Sequence, residues 1–247
     1  TKKNKVKDLI EFGRGFQNTP QLFILKKMVK SGDISVEAKI NFSEDGSISK
    51  DYVIDGDLEN VKLRLLNKDI IENIKFGFIL KDKDYVIYNA SSIYQDIKFK
   101  SDEIRIKEKD SAFLFNGNIS TSKNDLNLKV ITKIFQLDLG SIENDKIIFS
   151  SNNKFSFKLS KKFKFSNINA NSKFNIESLE YSNSSLKEFF PGYKNGVKLE
   201  NNVINLDYQN GNYKISGDSE LNVNEDIDSL RYSIEKKKDK IFFKTDF

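Results

Sequence analysis

From Asp33 onward, apolar and polar residues take turns along most of the chain. Ile34, Val36, Ala38, Ile40 and Phe42 fall on one side, Ser35, Glu37, Lys39 and Asn41 on the other. A period of two puts successive side chains on opposite faces of a strand, so this stretch predicts strands with one apolar and one wet face. The pattern is sharpest in IENIKFGFILKDKDYVIY, where Ile74, Phe76, Phe78 and Leu80 alternate with Lys75, Gly77 and Ile79. Lys81-Asp82-Lys83-Asp84 then turns the chain into a second run, Tyr85–Tyr88, and the whole reads as an antiparallel hairpin. The idea returns near the end, where Ile227, Leu230, Tyr232 and Ile234 precede another lysine-aspartate turn and a closing run from Lys240.

The intervening chain behaves in the same way. Glu44-Asp45-Gly46-Ser47 is a turn, and Val61, Leu63 and Leu65 carry the apolar face onward against Lys62 and Arg64. Further strands are expected around Ile97/Phe99, Ile104/Ile106, Phe113–Ser120 and Leu126/Leu128/Val130. More follow at Phe155/Phe157/Leu159, Phe163/Phe165, Phe174/Ile176, Leu179/Tyr181, Ile204/Leu206/Tyr208, Tyr213/Ile215 and Leu221/Val223. Turn signals recur roughly every 8–12 residues, the rhythm of an antiparallel all-β domain. Residues 131–140 read as a short helix or an irregular crossing, and Ser185-Leu186-Lys187-Glu188 as a capping box stopped by Pro191-Gly192.

Only the first 32 residues read as helical. Val6–Phe12 suits a short helix broken at Gly13 and Gly15. A second helix has Thr19 as N-cap, Pro20 at its first position and Gly32 past its end, with Lys26, Lys27 and Lys30 suiting its C-terminal dipole. Leu22, Leu25 and Val29, flanked by Phe23, Ile24 and Met28, form a broad apolar face expected to dock on the sheet. The organisation is therefore a helical segment (1–32) and two continuous β-units (33–140 and 141–247).

Composition narrows the chemistry. The net charge of +5 and pI near 9 would suit an anionic partner, but acidic residues are interspersed among lysines that act as the default solvent-facing residue. With no cysteine and no histidine there is no disulfide, thiolate, Ser-His triad or ordinary zinc site. No GxSxG elbow, P-loop, GxGxxG or EF-hand loop occurs. Carboxylate pairs such as Asp102/Glu103 and Glu225/Asp226 read as turn or wet-face residues, so neither enzyme activity nor a metal or cofactor is expected. Phe12-Gly13-Arg14-Gly15-Phe16 is one RGG-like copy and reads as a link. The aromatics share a face with Ile, Leu and Val rather than forming a stacking platform, so nucleic acid is not expected as a partner. The apolar run Leu22–Leu25 is too short to span a bilayer, and both ends of the chain suggest a piece of a longer protein.

One-sided strands must hide their apolar face. Two sheets can pack about 10 Å apart as a sandwich, which the pattern alone favours. Alternatively, about fifteen strands spaced about 4.8 Å can curl into a trough roughly 70 Å long. Three elements bear on the choice: Gly56-Asp57-Leu58-Glu59-Asn60-Val61-Lys62-Leu63, the run Ile71–Phe78, and Gly117-Asn118-Ile119. Together they resemble the strand segments that recur in the AsmA-like superfamily (AsmA, YhdP and TamB relatives), most clearly over residues 33–132. The resemblance implies a mainly β fold: an elongated, curled antiparallel sheet, or β-groove, of repeated hairpins with an N-terminal helical segment. It also implies a periplasmic location, an inner-membrane anchor in the full-length protein, adjoining repeats of the same parent chain, and transport of phospholipid or another acyl-chain lipid between the two membranes. On that reading the groove lining is Ile34, Val36, Ile40, Phe42, Val61, Leu63, Leu65, Ile74, Phe76, Phe78, Ile104, Ile106, Phe155, Phe157, Phe174 and Ile176. Each serves equally well as core in a non-catalytic β-repeat scaffold.

Overall fold

The computed structural model describes residues 3–16, 19–46, 52–65, 68–82, 84–110, 112–127, 130, 146–181, 197–223, 226–238 and 240–246. The ambiguous segment 131–140 and the expected helical turn at 185–190 lie outside the described residues, as does the side chain of Asp226.

The chain is mainly β, with two short helices at its N-terminal end. Strand β1 (Asn4–Lys5) leads into α1 (Val6–Phe16) and α2 (Pro20–Met28). Then come β2 (Val29–Lys39), β3 (Val53–Arg64), β4 (Ile70–Lys81), β5 (Asp84–Tyr94), β6 (Ile97–Lys109) and β7 (Ala112–Asn127). The remainder is β8 (Lys146–Ser160), β9 (Phe165–Tyr181), β10 (Val197–Gln209), β11 (Asn212–Val223), β12 (Asp226–Lys237) and β13 (Lys240–Asp246). All thirteen strands form one open antiparallel sheet in strict chain order, with no pairing of β1 to β13 that would close a barrel. The predicted hairpin at 71–88 is β4–β5, and the closing one is β12–β13. The strand expected at Phe113–Ser120 and the Leu126 part of the one expected at Leu126/Leu128/Val130 are one long strand, β7, which ends at Asn127; Leu128 lies outside the described residues.

Two compact units emerge from the packing: Thr1–Ile119 with Ser156–Ser166, and Ser120–Phe155 with Asn167–Phe247. In the first, the core gathers Val6 and Ile10 of α1 with Val29, Ile34 and Val61, flanked by Val36, Leu58, Leu63, Ile74 and Phe78. Burying Val6 and Ile10 accounts for a helix that runs to Phe16. Two interior glycines weaken a helix by about 1 kcal/mol each, which this docking outweighs, so the expected break at Gly13 does not occur.

Helix α2 starts as expected, with Thr19 Oγ1 accepting from the Leu22 amide at 3.4 Å and Pro20 in the first turn. It departs from expectation in its packing, because none of its residues is buried. Phe23, 45% exposed, lies instead under the Lys27 ammonium at 4.4 Å and the Arg14 guanidinium at 5.7 Å. Nor does Gly32 end the helix. It sits inside β2 at φ 137°, pressed on Val61 so closely that a Cβ would fall 2.5 Å from Val61 Cγ2.

Asparagines keep the apolar face in phase. Asn60 (φ 52°), Asn73 (φ 50°) and Asn89 (φ 52°) adopt the left-handed conformation on three successive strands, each at a shift in strand register. Asn tolerates that region better than most residues, and the extra residue of a bulge reverses the alternation. Leu58 and Val61 can therefore both reach the α1-capped core although three positions apart, as can Ile71 and Ile74 lie opposite Leu63 and Val61. Asn201 (φ 49°) marks the same kind of shift in β10.

Candidate functional site

Directly paired residues of antiparallel strands share a face, so the register assembles the site. In the first unit, Val36, Gly56, Phe78, Ile87 and Ile104 form one row across β2–β6. Ala38, Ile54, Leu80, Tyr85 and Ile106 form the next. Ile34, Leu58 and Phe76 begin a third. The opposite face reads Lys39, Val53, Lys81, Asp84 and Lys107, or Glu37, Asp55, Ile79, Val86 and Arg105. It carries ion pairs, among them Lys62–Glu72 at 2.5 Å, Arg105–Glu103 at 2.6 Å and Lys107–Asp84 at 3.3 Å.

Gly56 is central to the apolar face. A Cβ there would collide with the carbonyl oxygen of Ser35 and lie 3.0 Å from the Phe78 ring. The ring of Phe78 therefore sits over a position that offers no side chain, and Phe76 meets it edge-on at 6.4 Å. Where α1 covers the sheet, Ile34 and Val61 are 7% and 3% exposed. Beyond it, Phe76, Phe78, Leu80, Tyr85, Ile87, Ile104 and Ile106 are all only half-buried. Among the described residues, β4 and β5 make their principal contacts with their neighbouring strands, and Glu108 of β6 pairs with Lys161 at 3.1 Å. Farther along the same unit, Phe157 stacks on Phe115 at 4.5 Å and meets Phe165 at 5.4 Å.

The second unit repeats the device with a more polar floor. Phe174, Ile204, Gly217, Tyr232 and Thr245 share one row, and Ser172, Leu206, Ile215, Ile234 and Phe243 the next. Tyr232 lies over Gly217 as Phe78 lies over Gly56. Its burial raises the phenol's pKa, while a hydrogen bond with Asn202 pulls the other way. Asn202 Oδ1 and Ser219 Oγ are buried without a hydrogen-bond partner. Thr121 and Ser151 are also buried and meet at 3.2 Å, with the Ser151 amide donating to Thr121 Oγ1 at 3.0 Å.

The sixteen expected lining residues therefore divide. Ile34, Val61 and Ile176 are buried. Val36, Leu63, Ile74, Phe76, Phe78, Ile104, Ile106, Phe155, Phe157 and Phe174 are half-buried in strands. Ile40 and Phe42 lie past the end of β2, 43% and 67% exposed. The strand stops at Lys39 because a turn closes where the Gly46 amide donates to the Ser43 carbonyl at 2.9 Å. Leu65 lies just past β3 and hydrogen-bonds through its backbone to Asp69 and Lys68. Sequence reasoning left Ile54, Leu58, Leu80, Tyr85 and Ile87 out of the lining. Their alternation was visible, but only the register puts them in the rows of Phe76, Phe78 and Ile106.

Three ionisable groups at or beside the site are shifted by their surroundings. Tyr85 is raised in pKa, first by burial and then by Glu108 and Tyr52. Tyr94, whose hydroxyl donates to Asp69 at 2.8 Å, is raised first by that hydrogen bond. Glu103, on the wet face, is lowered by its hydrogen bond with Arg105, the opposite of what a general acid requires. Among the described residues no cluster of acidic side chains could hold a metal ion, and no helix is long and apolar enough to cross a membrane. Compared with protein-family models, with curated proteins and with solved structures, the chain matches none.

Proposed function

We propose that this chain is a segment of an AsmA-like bridge in the bacterial periplasm, whose apolar sheet face shields phospholipid acyl chains passing between the inner and outer membranes. The observation that carries the reading is the continuous apolar face of β4–β6, on which Phe76, Phe78, Ile87 and Ile104 are only half-buried. Acyl chains laid on these residues would complete their burial at about 0.8 kcal/mol per methylene removed from water. Gly56 leaves room on this face for the Phe78 ring, and the other side of the sheet is charged and wet. Such a surface favours a long apolar ligand over a compact polar one, because affinity accumulates along a row and depends little on any single group. An inner-membrane anchor and adjoining repeats would belong to the parent chain.

The test is extraction of the purified protein followed by mass spectrometry of the lipids. We expect acyl-chain lipids from the unaltered chain and a clear loss from Phe76→Lys and Ile104→Lys variants that keep their β-sheet circular dichroism. An unaltered chain free of lipid, and unable to take up a fluorescent fatty acid, would instead make it a scaffold module. A salt-dependent shift of nucleic acid on a gel would favour a different partner altogether.

A further inference from the structure

Several buried polar side chains of this sheet have partners. Ser101 Oγ donates to Asn118 Oδ1 at 3.3 Å, Asn124 Nδ2 to the Ser122 carbonyl at 2.5 Å, and Thr121 meets Ser151. Among the described residues, two buried side-chain atoms have none: Asn202 Oδ1 and Ser219 Oγ, in residues only 2% and 7% exposed. The register puts them together. Between the pairs Glu200–Glu220 and Val203–Asp218, β10 has two residues, Asn201 and Asn202, where β11 has only Ser219. Asn201 is exposed and donates through Nδ2 to Glu220 Oε2 at 2.9 Å. Asn202 stays on the apolar face, opposite Ile176 of β9, and Ser219 lies opposite Leu230 of β12. A polar pair is thus set into a row of apolar side chains, all within the second unit.

We propose that Asn202 and Ser219 form a subsite for a hydroxyl group carried on an acyl chain bound along the second unit, an inference that rests on the lipid reading above. A buried polar atom left unpaired costs about 1–3 kcal/mol, which a ligand group of the right kind recovers. The chemistry selects that group. A carboxamide oxygen only accepts, so it needs an O–H or N–H donor, whereas a serine hydroxyl both donates and accepts. A ligand hydroxyl satisfies the two at once, donating to Asn202 Oδ1 and accepting from Ser219 Oγ. An ester or ether oxygen has no proton to give. An ammonium brings a charge that this apolar surround does not balance. Ile176 and Leu230 on either side take the methylenes that flank the hydroxyl. Tyr232 is the movable cover. It is hydrogen-bonded to Asn202, and its ring lies over Gly217, where no side chain props it, so it swings aside as the chain enters.

The test is competition against a fluorescent fatty acid on the whole 247-residue chain. The competitors are stearic acid, hydroxystearic acids with the hydroxyl near the carboxyl or in mid-chain, and their methoxy counterparts. We expect a hydroxystearic acid to bind about tenfold more tightly than stearic acid. The methoxy counterpart, which accepts but cannot donate, should gain nothing. Ser219→Ala and Asn202→Leu should each reduce the preference to about twofold or less. Ser219→Ala removes a single oxygen, so it decides the matter if the bulge does not tolerate leucine. Equal binding of stearic and hydroxystearic acids, or a preference that the variants retain, overturns this inference while the lipid reading stands. A chain that takes up none of these acids overturns both.

Discussion

The sheet at β2–β3 and the sheet at β4–β6 carry the same pattern and end in different states. At β2–β3, α1 lays Val6 and Ile10 on the apolar face, and Val29, Ile34 and Val61 become a dry core. At β4–β6 the face continues, and Phe76, Ile87, Ile104 and Ile106 stop at half burial. Alternation fixes which side of a strand is apolar, but says nothing about what lies against it. The helix makes the first region a core, while the second keeps side chains that are only half-buried.

The most forceful way to break this comparison is a buried charge. Val61→Asp should lower unfolding stability by about 4–5 kcal/mol, because a carboxylate there has neither water nor partner. Phe76→Asp should leave a folded protein with a melting temperature only modestly lower. Equal collapse of both variants in thermal denaturation would mean that β4–β6 are as covered as β2–β3. The next effect sharpens the contrast through glycine. Gly56→Ala pushes a methyl group against the backbone of Ser35 and should cost about 2–3 kcal/mol. At Gly77 the obstacle is the Tyr88 ring, which can lift off, and Gly77→Ala should cost about 1 kcal/mol in urea titration.

The smallest effect concerns the tether of the chain's start. Lys3 Nζ meets Glu59 Oε2 at 2.6 Å and, with Lys75 behind it, holds that carboxyl below its ordinary pKa. The same contact raises Lys3 above its own ordinary value. Since the folded carboxyl titrates lower than the unfolded one, its contribution is complete above pH 4.5 and fades as pH falls through the folded value. For Lys3 the contribution is complete below pH 10.5 and fades as pH rises beyond it. Glu59→Gln should make the acid limb of the pH dependence of the melting temperature shallower, by a margin that high salt abolishes, while Glu11 and Glu103, also lowered by their partners, keep the remainder. A variant as acid-sensitive as the parent would sink this assignment.

Much of this fold was legible. Thr19-Pro20 fixes the start of α2, and the lysine-aspartate turns fix two hairpins, because caps and turns are decided by residues a few positions apart. The face assignments at Phe76, Phe78, Ile104 and Ile106 follow from alternation alone. What stayed hidden depends on distant partners. Asn60, Asn73 and Asn89 look like ordinary polar residues until their left-handed backbones shift the register. Gly56 opens a strand segment in the sequence, and nothing local shows that Phe78 lies over it. The helix through Gly13 and Gly15 holds because its first two turns bury Val6 and Ile10, which only the folded sheet makes possible. Ile40 and Phe42 continue the alternation on paper, yet the turn closed at Gly46 ends the strand before them.

Every strand in this sheet hydrogen-bonds only to its neighbours in the chain. A hairpin could therefore be duplicated or deleted at any turn without rethreading a single other pairing. Such an architecture can assemble by zippering from one end, since each new strand needs only the previous one in place. Its length becomes a quantity that gene duplication can adjust in steps of two strands.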